Sequence, residues 1–395
     1  MKRLLIVASV AILAAGCQKT FVQDEVQTPI GFSTEVGKQT RAIVQQSGEN
    51  SYLTSQPFAV YAYGHQDAGN GDVETTIMNN VEIFYDDDTK WRANDGLTYY
   101  WPNDPRTKIN FYAYSPSYSA EVSATNNHQK LNGGISHSET TGLSLTGYTH
   151  SNMYVDFMVG RPVLNASYND QDGSNGSVSG LTSVPVSFNH QMTQVVFTVK
   201  TNKPYGSDTS TDPNDDVTFT VKSITLNKVN NKANYAHSTL APSYQDIDSK
   251  FKHGVWAGHT GQETYTVFPA LKLTNDQLNG NPDIQANEVA TDVTNTTVLT
   301  TTPVTMIPQD LAAQSFTIVY DIAGAGVAAE TVSKTVDLNT GSHTAWGINQ
   351  KVTYNITIGL NEITFSPTVV GWESSYDHDG DNQTPDVNYG ADVNI

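Results

Sequence analysis

Residues 30–36 read Ile-Gly-Phe-Ser-Thr-Glu-Val, and the reading of that stretch decides the reading of the chain. Ile30, Phe32, Thr34 and Val36 fall at every second position, so an extended backbone turns all four to one face. Gly31, Ser33 and Glu35 turn to the other. Working outward, strand-like apolar runs return at 58–63, 109–114, 184–199, 217–226, 315–322, 351–360 and 363–370. Polar turn material separates them at 64–71, 86–88, 167–180 and 206–216. No long segment holds a 3.6-residue apolar period, and nothing repeats at the interval of a solenoid or propeller. Strands without alternating helices predict an all-β chain of antiparallel sandwiches.

Composition agrees. Aromatic residues make up 10% of the 395, including 20 Tyr and 13 Phe, too many for a disordered chain. Abundant Gly, Ser, Thr, Asn and Asp suit short strands with polar turns, and exclude a helical bundle or coiled coil. The 40 acidic residues outnumber 21 basic ones, for a net charge of -19, which repels phosphate backbones and excludes nucleic acid as a partner.

The chain starts with a processing signal. Lys2 and Arg3 precede an unbroken apolar run from Leu4 to Ala15, shorter than the roughly 20 residues a membrane span needs. The run ends Leu13-Ala14-Ala15-Gly16-Cys17, similar to the lipobox of bacterial lipoproteins. On that resemblance residues 1–16 are the signal peptide, and Cys17 is the lipidated first residue. Cys17 is the sole cysteine, which excludes disulfides and CxxC metal sites.

The most linker-like interior stretch is 200–216, Lys-Thr-Asn-Lys-Pro-Tyr-Gly-Ser-Asp-Thr-Ser-Thr-Asp-Pro-Asn-Asp-Asp, which a long hairpin loop explains equally well. Taken as a boundary, it gives domains at 42–203 and 204–373 and an acidic tail at 374–395.

Several phrases, taken in order, resemble the fimbrillin family, whose members build type V pili of Bacteroidota. They are Ile30-Gly31-Phe32 with Thr40-Arg41-Ala42, Tyr100-Trp101-Pro102 with Ile109 to Pro116, and Asp156-Phe157-Met158. Phe188 to Thr193, Met306-Ile307-Pro308-Gln309, Tyr354 to Ile358 and Val369-Val370-Gly371-Trp372 complete the series. The resemblance implies two transthyretin-like antiparallel β-sandwich domains in tandem. It also implies a lipoprotein that reaches the outer membrane through its lipid. There an Arg- or Lys-specific protease removes residues 17–41, cutting between Arg41 and Ala42, with Lys38 a second candidate. The emptied groove then accepts a strand from another fimbrial subunit, in support of cell adhesion.

Elementary chemistry supports that scheme. Residues 37–41 are polar and interrupt the alternation, so a protease can reach them. Excising a core strand leaves unpaired backbone groups and an apolar slot, and a strand from another chain removes both costs. Loss of residues 1–41 deletes five positive and three negative charges, taking the net charge from -19 to -21.

Catalytic signatures are absent: there is no HExxH, GxSxG or GxxxxGK[ST]. The chain is expected to be a non-enzyme with no cofactor. His190 is expected to be a hydrogen-bonded structural residue. Asp377, Asp379 and Asp381 resemble half of a calcium loop, but the Gly comes one place early and no Glu closes it, so a solvated tail explains them better. At the terminus Val387, Tyr389, Ala391, Val393 and Ile395 share one face of a strand, which fits either a donated strand or the subunit's own last one. The rival to a pilus subunit is a monomeric surface lipoprotein that captures a glycan.

Overall fold

The computed structural model describes residues 28–36, 57–67, 72–85, 91–104, 106–117, 131–168, 183–203, 205, 217–237, 254–269, 290–324, 328–360, 362–372, 387–388 and 393–394. Among them there is no helix. The strands begin with β1 (Phe32–Val36), β2 (Phe58–Asp67), β3 (Asp72–Tyr85), β4 (Trp91–Ala93), β5 (Thr107–Ser115) and β6 (Gly134–Ser138). Next come β7 (Gly142–Thr149), β8 (Met158–Gly160), β9 (Val163–Ala166), β10 (Val184–His190), β11 (Thr193–Thr201) and β12 (Val217–Val229). β13 (Lys232–His237), β14 (Val255–Thr260), β15 (Glu263–Phe268), β16 (Thr291–Val293), β17 (Leu299–Thr300) and β18 (Val304–Met306) follow. The last are β19 (Ser315–Gly324), β20 (Glu330–Asp337), β21 (Gln350–Ile358), β22 (Ile363–Gly371), β23 (Val387–Asn388) and β24 (Val393–Asn394).

These strands make four sheets. The first has eight strands in the order β1-β10-β8-β5-β2-β3-β4, with β9 on β5. The second is β14-β13-β7-β6. The third runs β17-β11-β21-β22-β23, with β18 on β11 and β24 on β22. The fourth is β15-β12-β19-β20, with β16 on β12.

The first sheet is buried on both faces, which is why 58–63 is apolar at every position instead of alternating. One face carries Tyr61, Tyr63, Tyr112 and Tyr114 and packs against Leu143, Leu145, Tyr148, Tyr235 and Trp256 of the second sheet. The other carries Phe58, Val60, Phe111 and Phe188 and belongs to the larger buried cluster. That cluster continues between the third and fourth sheets, where Phe316 meets Phe197 at 5.3 Å and Phe365 at 5.5 Å. There one face of each strand is covered, and β21 and β22 alternate in burial accordingly.

Two features depart from a purely antiparallel reading. β1 pairs in parallel with β10, and β11 in parallel with β21. Both pairs join stretches far apart in sequence, whose connections cross other sheets instead of turning back as hairpins. The continuous run at 184–199 is also two strands, because the chain leaves the first sheet after His190 and enters the third at Thr193. Four pairings cross the 203/204 boundary: β11 lies with β17, β18 and β21, and β13 pairs with β7 of the second sheet.

Candidate functional site

The site is the edge of the first sheet that β1 occupies. Phe32 to Val36 stand opposite Val184 to Phe188 in unbroken parallel register. Upstream, Val184 N–H donates to Gly31 O at 2.8 Å. The entering chain is held on its other side by residues 99–101: Ile30 N–H donates to Tyr99 O at 2.8 Å, and Trp101 N–H to Thr28 O at 2.9 Å. Residues 28–36 are therefore hydrogen-bonded to two non-adjacent stretches of the body.

Side chains seat the strand further. Ile30, Phe32 and Thr34 are buried, as alternation requires. The Phe32 ring meets Phe58 edge-on at 5.8 Å and 78°, and Phe111 at 6.1 Å and 88°. Trp101 supports Phe111 at 5.8 Å, and Phe188 supports Phe58 at 5.6 Å. Burying a Phe or Ile side chain stabilises by about 1.5–3 kcal/mol each, so the slot is an apolar liability without its strand. β10 would then present a bare edge of backbone donors and acceptors above an open aromatic notch.

The residues after β10 tie this edge to the other sheets. Gln191 N–H donates to Phe157 O at 2.8 Å, and Trp256 Nε1–H donates to Gln191 O at 2.7 Å. The Gln191 side chain accepts from Tyr235 OH at 2.8 Å and donates to Asn189 O at 3.0 Å. His190 Nδ1–H donates to Asp156 Oδ2 at 2.7 Å, with both residues buried. The histidine is thus hydrogen-bonded inside the core, in the structural role its sequence context suggests.

Sequence phrases that lie far apart therefore meet. Gly31 and Phe32 fill the slot, Tyr100 and Trp101 flank its entrance, and Phe111 is one wall of its notch. Asp156, His190 and Trp372 come together at the end of β10. Nothing in the sequence marks Phe58, Val184 and Phe188 as slot residues, because a core side chain looks alike whichever strand it faces. Cys17, Arg41, Ala42, Asp377, Asp379 and Asp381 lie outside the described residues. Among the described residues no group of three or more His, Cys, Asp or Glu is placed to hold a metal ion, and no helix is long and apolar enough to cross a membrane.

A family model described as fimbrillin-like matches residues 40–372, a span that begins after β1. No curated protein matches the chain. Among solved structures, a fimbrial protein from Bacteroides vulgatus is 18% identical, with 87% of this chain and 99% of that chain covered at a TM-score of 0.47. A candidate cell adhesion protein from Bacteroides uniformis is 14% identical, with 88% and 100% covered at 0.47. Another from Bacteroides ovatus is 12% identical, with 88% and 98% covered at 0.46.

Proposed function

The chain belongs to the fimbrillin-like family, and we propose from that membership and from the seating of β1 that it is a non-enzymatic fimbrial subunit assembled by strand exchange. It is exported as a lipoprotein through Cys17, held at the outer membrane by that lipid, and cleaved between Arg41 and Ala42 by an Arg- or Lys-specific protease. Cleavage frees residues 28–36, and a strand of another subunit takes their place in a fimbrium on the cell surface. Cell adhesion is the biological output. The body is read as two transthyretin-like sandwiches, one from the first and second sheets and one from the third and fourth, with β11 and β13–β14 exchanged across the 203/204 boundary.

One observation carries this reading: a strand outside the family match fills a parallel edge slot of the body and buries Ile30 and Phe32 there. Its link onward begins with polar Gly37-Lys38-Gln39-Thr40-Arg41. A head-to-tail strand contact does not close on itself, so it propagates as a filament.

The test is to express residues 18–395, treat them briefly with an Arg-specific protease, and sequence the new N-terminus. Sizing and electron microscopy follow, with Arg41→Gln as the control. A start at Ala42 with ladders or filaments, both lost in Arg41→Gln, is the expected result. A resistant monomer that keeps residues 28–36 and shifts on oligosaccharide titration would replace this reading with the glycan-binding lipoprotein.

A further inference from the structure

We propose that β20 is a lateral interaction edge, which pairs antiparallel with β20 of a second copy of this chain about a two-fold axis at Val332. The pairing involves neither β1 nor its slot, so it stands independently of the strand-exchange reading.

β20 ends the fourth sheet and pairs with β19 alone. Its register runs unbroken from Asp337 opposite Ser315 to Glu330 opposite Ile322. The edge therefore has no bulge to twist it away from a partner. It is also open: in Glu330–Asp337 only Val336 is buried, and Val332 is half-buried. Other edges are shorter or broken. β4 has three residues and β6 five, and the register of β14 on β13 is interrupted between Lys232 and Asn234. The outward N–H and C=O groups of an eight-residue strand are a template for one strand more.

Side chains decide which strand. Glu330, Val332, Lys334 and Val336 stand opposite Ile322, Tyr320, Ile318 and Phe316, and so share the core-side face. Thr331, Ser333 and Thr335 share the outer face, where Thr331 Oγ1–H donates to Asp321 Oδ1 at 2.7 Å and Thr335 Oγ1 meets Thr317 Oγ1 at 2.8 Å. Lys334 thus carries a charge on the core side of an edge, a device that rejects apolar strands. A strand that sets a carboxylate opposite this lysine is accepted.

β20 itself is such a strand. With the axis at Val332, Lys334 faces Glu330 of the second copy, twice by symmetry, while Val332 faces its own copy and Thr331 faces Ser333. An axis at Thr331 sets Ala328 opposite Lys334, and an axis at Ser333 sets Val332 there. An axis at Lys334 brings the two lysines together. No other axis within β20 that keeps the faces matched gives Lys334 a carboxylate. The pairing joins two copies of the fourth sheet into one and continues its core across the axis through Val332. A contact of this size is weaker than a standard interface. Repeated along two filaments of the kind proposed above, it would hold them side by side by avidity. That last step rests on the fimbrial reading, and the pairing does not.

The test uses residues 18–395, which contain every described residue and no cysteine. It is run at about 0.15 M salt, where a Debye length of about 8 Å screens the repulsion between two acidic bodies. Sedimentation over a concentration series should show reversible dimers. Lys334→Glu and Glu330→Lys should each weaken self-association about tenfold or more. The two variants mixed should pair with each other, and the double exchange in one chain should restore dimers. Under mild oxidation Val332→Cys should crosslink to itself more than Thr331→Cys, Ser333→Cys or Lys334→Cys, since only the axis residue meets its own copy. Monomers throughout the series, dimers indifferent to the charge changes, or crosslinking strongest at another position would each overturn the proposal. The chain tested is uncut, so a failure here is distinct from a failure of strand exchange.

Discussion

His190 lies flat on Trp372, with ring centroids 3.8 Å apart and planes 5° from parallel. His190 ends β10, the strand that holds β1, and Trp372 follows β22, the strand that holds the C-terminal segment. Trp372 N–H also donates to Asn349 O at 2.7 Å, and Asn349 N–H to Met192 O at 3.0 Å. The two strand-holding edges therefore share one buried joint. Trp372→Ala should cost about 3–5 kcal/mol, the usual range for a buried large aromatic. Urea unfolding would read it, and a loss below about 1 kcal/mol would show that the stack contributes little.

Phe32→Ala should behave differently before and after processing. In the uncleaved chain it empties the notch against Phe58 and Phe111 and should cost about 3–5 kcal/mol. Once Arg41 is cut and the segment has left, Phe32 is no longer part of the body, so variant and parent should unfold together. Thermal melts of both forms check this. An equal deficit after cleavage would mean that the strand stays bound.

Residues 30–36 were legible as a strand because their pleat needs no partner to be recognised. Their partner was not, since nothing local to Val184–Phe188 marks it as the parallel neighbour of a strand about 150 residues away. The tyrosine face of β2 was hidden for a related reason: a sheet covered on both sides has no polar alternation to show which residues face which layer. His190 and Gln191 sit inside a run that reads as one continuous strand, so nothing local announces the crossing between sheets. In the structure both are buried, and their hydrogen bonds hold the crossing between sheets. Cys17 and Arg41 are proposed from chemical motifs in the sequence alone.

Gln191 offers a sharper test of that crossing. Replacing it with Leu keeps the volume but leaves Tyr235 OH buried without its acceptor, at about 1–3 kcal/mol. The loss should concentrate in the second sheet, so amide exchange in β13 and β14 should accelerate more than in β21 and β22. Uniform acceleration, or none, would show that Gln191 does not fasten this sheet.

Acid should destabilise the body through histidines that are buried neutral. His150 accepts from Tyr148 OH at 2.9 Å through Nδ1 and donates from Nε2–H to Thr305 O at 2.7 Å. Burial pushes its pKa down to about 4, against the weaker opposing effect of that bond to Thr305. Burial also lowers His343 to about 4, and burial followed by repulsion from His237 lowers His137 to about 4. Each folded pKa thus lies below the unfolded value of about 6.5, so the unfolded chain binds more protons between the two. Their stabilisation is complete above about pH 6.5 and is lost as the pH falls towards 4. For fully buried His150 the slope approaches about 1.4 kcal/mol per pH unit within that window. Urea midpoints at pH 7, 5.5 and 4.5 should fall in that order, while the imidazole resonances of His150 stay neutral at pH 5.5. Midpoints that rise on acidification, or a protonated His150 at pH 5.5, would contradict the neutral hydrogen-bonded imidazole.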